Sequence, residues 1–219
     1  MNYEPELVVL VPGIYMPVLS LTLLARRIQG YGFKTKTFAY ASLRASVEDN
    51  AQQLYNKVIS FQAPIVHFVG HSLGGLVIRH LMAKYSTSLP YGHTVTLGTP
   101  HSGSQVALQL QEHRLGWLLG HSRCQGLLGD LPAWPSARKL GSLAGIHRHG
   151  VGRFLASLEH PHDGTVQVAE TIFAGLTDHI CLPVNHTTLL LDAQTAQQTA
   201  FFLRKQHFDH SMGSSVAKC

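Results

Sequence analysis

The chain has 219 residues, 45% of them hydrophobic and 13% charged, with a formal net charge of +5. That length buries a full core as one domain, residues 1–219, and no apolar run approaches the roughly 20 residues a bilayer helix needs. The basic residues fall in scattered pairs (Arg26-Arg27, Arg138-Lys139, Arg204-Lys205), which read as solvated helix faces and not as a nucleic-acid-binding stripe.

The opening Met1-Asn2-Tyr3-Glu4-Pro5-Glu6 is acidic and lacks the charged leader, apolar core and cleavage site of an export signal. The three cysteines, Cys124, Cys181 and Cys219, are an odd number without motif spacing. Both features lead to the expectation of a reduced, cytoplasmic protein, although a secreted form stripped of its leader would read the same.

In chain order, Leu7–Val11 is a buried strand ended by Pro12-Gly13. A loop, Ile14-Tyr15-Met16-Pro17, precedes a helix over 19–28 with Leu19, Leu23, Leu24 and Ile28 as its buried positions. A second strand spans 33–40. Ser46 caps the next helix, with Asp49 as an imperfect capping box, and Val47, Ala51, Leu54, Val58 and Ile59 form its apolar stripe. The third strand starts at Ile65 and runs into a glycine-rich turn and a helix through Leu76, Val77, His80, Leu81 and Lys84. Strands follow from Thr94, Leu140 and Ile180, and a last helix spans 193–205. Six strands alternating with helices call for an α/β fold, a mostly parallel sheet with helices on both faces.

The turn after the third strand reads Gly70-His71-Ser72-Leu73-Gly74-Gly75. Gly-x-Ser-x-Gly between a strand and a helix places a serine hydroxyl on a strained turn at the carboxyl end of the sheet, with small residues beside it to avoid collision. A serine attacks at neutral pH only if a base takes its proton, normally a histidine oriented by a buried carboxylate. Asp163 in His162-Asp163-Gly164-Thr165-Val166 and His186 just past the last strand fit those roles in chain order. Asp178 is the rival acid, set before the last strand at the wrong end of the sheet, and His179, His207 and His210 are weaker bases for the same reason. Leu73 N–H, at the helix start, is one oxyanion donor, and the loop after the first strand supplies the second from Ile14 or Tyr15, with Ile14 favoured. Tyr15 and Met16 then line an acyl pocket or merely pack on the nearby helix.

The four motifs Gly70–Gly75, Leu97-Gly98-Thr99-Pro100-His101-Ser102-Gly103, Asp163-Gly164-Thr165-Val166 and the His186 loop, in that order, resemble the bacterial lipase/esterase branch of the α/β-hydrolase family. The resemblance implies Ser72 as nucleophile, Asp163 as acid and His186 as base, acting on acyl esters or lipids without cofactor or metal, and an α/β-hydrolase fold without a separate cap domain. The chain departs from it by starting at the strand that is third in larger members, and by carrying Pro12-Gly13 where many relatives have His-Gly. Residues 103–139 stand where that family inserts lids: Trp117, Leu118, Leu119 and Trp134 either cap an apolar channel or belong to a core helix with loops. His147-Arg148-His149 and His160-Pro161-His162 lack the cysteines or acidic residues of a metal site. A thioesterase or acyltransferase with the same triad, and a non-catalytic binding protein on the same fold, stay open, as does peripheral contact with lipid.

Overall fold

The computed structural model describes residues 6–135, 137–148, 158–159 and 161–211. Its strands are β1 (Leu7–Val11), β2 (Lys34–Thr37), β3 (Val66–His71), β4 (Thr94–Leu97), β5 (Leu140–Gly145) and β6 (Asp178–Leu182), all parallel in the order β2-β1-β3-β4-β5-β6. The helices are α1 (Thr22–Gly30), α2 (Val47–Ile59), α3 (Leu73–Tyr85), α4 (Gln105–Glu112) and α5 (Ala193–Lys205).

β1 shows why the sheet is covered on both sides. Its sequence, Leu-Val-Val-Leu-Val, is apolar at every position, so neither face tolerates water. Leu7, Val9 and Val11 pack into one core with α2 and α3, while Val8 and Leu10 pack into the other with α1 and α5. β2 is the opposite case. Lys34-Thr35-Lys36-Thr37 is an exposed edge strand, and its lysines discourage another chain from pairing there.

α2 is set by its cap: Ser46 Oγ accepts from the Asp49 N–H at 3.0 Å, and Asp49 Oδ2 accepts from the Ser46 N–H at 3.4 Å. The capping box is thus complete, not imperfect. α5 has the bounds read from the sequence, with Asp192 as its cap and Gln206 in a left-handed conformation (φ 65°) closing it.

Several expectations need correction. Val18–Leu21 is a 3-10 turn, so the α-helix begins at Thr22 and the apolar phase shifts. Leu19 is 80% exposed and Leu23 39%, and Leu21 takes the buried place beside Leu24 and Ile28. Ile59 falls outside the α2 stripe and is exposed. β2 stops at Thr37, freeing Tyr40 to reach the loop after β1. β6 starts at Asp178 rather than Ile180.

Arg138 is no solvated face either: its guanidinium donates to the carbonyls of Ser86, Leu89 and Pro90 and so ties down the connection from α3 to β4. Cys124 is free and exposed, but Cys181, buried in β6, is disulfide-bonded, which departs from the reduced state expected. No helix of the described residues is long and apolar enough to cross a membrane.

Candidate active site

β3 ends at His71 and α3 begins at Leu73, leaving Ser72 alone on the turn with φ 52° and ψ −123°. A non-glycine residue holds that backbone only where its surroundings enforce it. Here the Ser72 N–H donates to the Leu97 carbonyl at 2.9 Å, and Thr99 Oγ1 donates to the Ser72 carbonyl at 2.9 Å. The flanking glycines are a steric necessity. A Cβ on Gly74 would stand 2.2 Å from the Val11 carbonyl oxygen, and one on Gly70 2.6 Å from the Gly75 backbone.

The structure brings Asp163 and His186 together. His186 Nδ1 donates to Asp163 Oδ2 at 2.6 Å, and the His186 N–H donates to the Asp163 carbonyl at 2.9 Å. The other carboxylate oxygen accepts from the backbone N–H groups of Thr165 (2.9 Å) and Val166 (2.7 Å). Asp163 is 1% exposed, so all its partners are protein groups held in place. Because Nδ1 carries the hydrogen, Nε2 is left as the proton acceptor. Asn185 sets the loop, its side-chain oxygen accepting from the N–H groups of Thr187 and Thr188. Room for the pair comes from Gly98, at φ +55°, where a Cβ would lie 3.0 Å from both Asp163 Oδ2 and His186 Nδ1.

Ser72 and His186 line one cavity, yet no hydrogen bond joins Ser72 Oγ to His186 Nε2. Such contacts are commonly long without substrate and tighten when it binds. Asp178 sits at the first position of β6 and accepts from the Phe208 N–H at 2.6 Å and from His210 Nε2 at 3.0 Å. That places it at the amino end of the sheet, fixing the segment after α5. His179 bonds to Thr171 and His207 to the Phe208 carbonyl, and neither lines the cavity.

The cavity measures about 370 Å³ and its walls are mainly apolar, with Ile14, Tyr15 and Met16 on one side and Val106, Leu110 and Leu119 on another. A larger one of about 740 Å³ opens by Glu6, Lys34 and Ile65 at the amino ends of the strands, away from Ser72. Gly13 lets the loop after β1 approach: a Cβ there would be 3.1 Å from Ser72 Cβ. The Tyr40 hydroxyl holds that loop by donating to the Pro12 carbonyl at 2.8 Å. Tyr15, at φ 59°, directs its N–H to Ser42 Oγ at 3.4 Å, whereas the Ile14 N–H has no protein acceptor among the described residues.

Residues 103–139 contain α4, a 3-10 stretch (Gly116–Ser122) and an irregular turn (Arg123–Leu127). Of the four apolar side chains singled out there, only Leu119 reaches the cavity. Trp117 is 70% exposed, Leu118 is half-buried against the core, and Trp134 is in the core with its indole N–H donating to the Arg138 carbonyl. Tyr15, which lines the cavity, is tied to this segment by its hydroxyl, bonded to the Leu118 carbonyl. Glu170, which no sequence pattern marked, anchors α4: its carboxylate accepts from the N–H groups of Gln105 (2.7 Å) and Gln167 (3.0 Å), and burial pushes its pKa up.

His149 and His160, part of the two histidine runs, lie outside the described residues. Among those described, no three His, Cys, Asp or Glu side chains stand close enough to hold a metal ion.

No protein-family model and no curated protein matches the sequence. Solved structures do match. The mature form of Bacillus licheniformis lipase BlEst2 superposes with a TM-score of 0.67 at 18% identity, over 94% of this chain and 93% of that one. The metagenomic carboxyl esterase MGS0156 gives 0.68 at 17% identity, over 93% and 76%. The thioesterase RedJ of Streptomyces coelicolor gives 0.62 at 15% identity, over 93% and 86%. The fold is therefore that of the α/β-hydrolases.

Proposed function

We propose that the protein is a serine carboxylic-ester hydrolase acting on small acyl esters or lipids. One observation carries the reading: a strained serine and a carboxylate-locked histidine line the same apolar cavity. In the reaction, Ser72 Oγ bonds to the ester carbonyl carbon as His186 Nε2 takes its proton. Asp163 steadies the resulting imidazolium through Nδ1–H. The carbonyl oxygen gains the negative charge and accepts from Leu73 N–H and Ile14 N–H, donors of a kind worth about 2.7–4 kcal/mol each. The Tyr15 N–H is already directed at Ser42, which favours Ile14.

The tetrahedral centre then collapses, the C–O bond to the alcohol breaks, and His186 returns its proton to that alcohol. Water attacks the acyl-enzyme by the same path and releases the acid. The chemistry calls for no cofactor or metal. Tyr15 and Met16 line the acyl side of the cavity. A thioesterase is the second reading, favoured by the likeness to RedJ: the same acyl-enzyme forms and a thiolate leaves instead.

The deciding experiment is labelling with a fluorophosphonate. The wild-type protein should be modified once, on Ser72, and should hydrolyse p-nitrophenyl esters. Ser72→Ala should lose both with its circular dichroism unchanged. A folded wild-type protein that neither labels nor turns over would sink the proposal. Competing p-nitrophenyl and acyl-thioester substrates separate the two readings.

A further inference from the structure

His71, directly before the nucleophile, has no part in the proton transfers above, yet its side chain is built into the site. It is 1% exposed. Its Nε2 lies 2.9 Å from the His186 carbonyl oxygen, and since a carbonyl only accepts, Nε2 carries the hydrogen. The His71 and His186 ring centroids are 4.6 Å apart at 49°. The remaining nitrogen, Nδ1, is buried without a partner and faces the loop after β1, where a Cβ on Gly13 would approach it to 3.0 Å. One imidazole thus touches the nucleophile's turn, the loop of the base and the loop of the oxyanion donor.

We infer that His71 is a positioning residue, whose Nε2–H holds the His186 backbone so that His186 can face Asp163 and Ser72 together. This rests on the reading of Ser72, Asp163 and His186 as the reacting set. Two features fit the role. The donor is the last residue of β3, directly before Ser72, so base and nucleophile are referenced to one rigid element. Burial also keeps the ring neutral: with the neighbouring His186 ring it pushes the pKa down to about 3, against the weaker opposing pulls of the hydrogen bond to the His186 carbonyl and of Asp163. A charged ring at that distance would oppose the imidazolium that forms on His186 during catalysis. The bare Nδ1 fits the same need: an acceptor beside it would stabilise a second proton on the ring, and none stands there.

The test uses the full-length protein with two readouts, one independent of turnover. In the wild type, ring ¹⁵N shifts should show His71 as the neutral Nε2–H tautomer from pH 8 to pH 5. A ring that titrates near 6.5, or that carries its hydrogen on Nδ1, overturns the inference. His71→Phe keeps the ring volume and removes the donor; His71→Asn, whose shorter amide falls short of the carbonyl, stands in if the Phe variant does not fold. Either should lower kcat/KM by about 10²-fold, the scale of a misplacement near 1 Å, with KM little changed. Either should also move the NMR signal of the His186 Nδ1–H proton, as its hydrogen bond to Asp163 loosens.

His71→Gln, which places an amide N–H where Nε2–H was, should recover most of both. A folded Phe or Asn variant with kcat/KM within about twofold of wild type and an unmoved His186 Nδ1–H signal overturns the inference, as does a Gln variant as impaired as Phe. If the wild type neither labels nor hydrolyses while the His186 Nδ1–H signal still responds to substitution of His71, the hydrolase reading fails and the positioning role stands.

Discussion

Two aspartates close to His186 in the sequence are separated by what each carboxylate touches. Asp163 gives one oxygen to His186 and the other to two backbone N–H groups, at the carboxyl end of the sheet. Asp178 gives both oxygens to the segment after α5, at the opposite end. Asp163→Asn should therefore reduce kcat by about 10⁴-fold, because an amide in that place favours the wrong imidazole tautomer. Asp178→Asn should keep kcat and lose stability by about 1.5–3 kcal/mol, the worth of hydrogen bonds to a charged group. Paired p-nitrophenyl ester kinetics and urea melts check both, and a dead Asp178→Asn beside an active Asp163→Asn would reverse the assignment. This distinction was half legible in the sequence, since strand polarity alone set Asp178 at the wrong end. Gly98 was not. Its glycine is required by what stands opposite it in space, Asp163 and His186, and no local pattern carries that information.

At the scale of elements, the sequence was clearest where one periodicity acted alone. α5 and β1 have the bounds expected, because a long amphipathic run and an all-apolar run each admit one assignment. It failed where two geometries met: the 3-10 turn before α1 rotated the apolar phase and sent Leu19 to solvent. Residues 103–139 are the hardest case, since their side chains divide among cavity, core and surface over a few positions. Trp134 and Trp117 read alike in sequence and end at 6% and 70% exposure. One side of the cavity is lined by Val106, Ala107 and Leu110 of α4, and that gives a prediction at this scale. Leu110 lines the cavity from α4, so Leu110→Trp should fill part of it. Activity on p-nitrophenyl acetate should hold within about threefold while activity on the octanoate falls about 10-fold or more, since each misfitted methylene costs about 1–3 kcal/mol. Equal losses on both esters would mean that Leu110 is outside the acyl path.

For the molecule as a whole, the 15 histidines matter less by number than by where the fold puts them. His71 and His101 are 1% and 2% exposed, and burial pushes each pKa down to about 3. His101 sits between the charge of Arg79 and the ring of His179, both of which oppose its protonation, and it stacks on Phe173. In the unfolded chain each returns to about 6.5. The folded pKa is the lower one, so between about pH 6.5 and pH 3 the unfolded state binds more protons and stability must rise with pH. The contribution is complete above about pH 6.5 and is lost at about 1.4 kcal/mol per pH unit for each buried histidine as pH falls below that.

Glu170 acts in the opposite sense. Its folded pKa is raised, so it favours the folded state below its unfolded value and that contribution is lost as pH rises through the raised pKa. One such group offsets only part of two histidines. Urea midpoints should therefore fall steadily from pH 7 to pH 5. His101→Asn, at a residue that does not line the cavity, should flatten that dependence by about 1.4 kcal/mol per unit while leaving ester hydrolysis in place. A midpoint that stays level over this range, with His101 shown by NMR to be neutral at pH 5, would mean that the unfolded chain holds its histidines neutral as well.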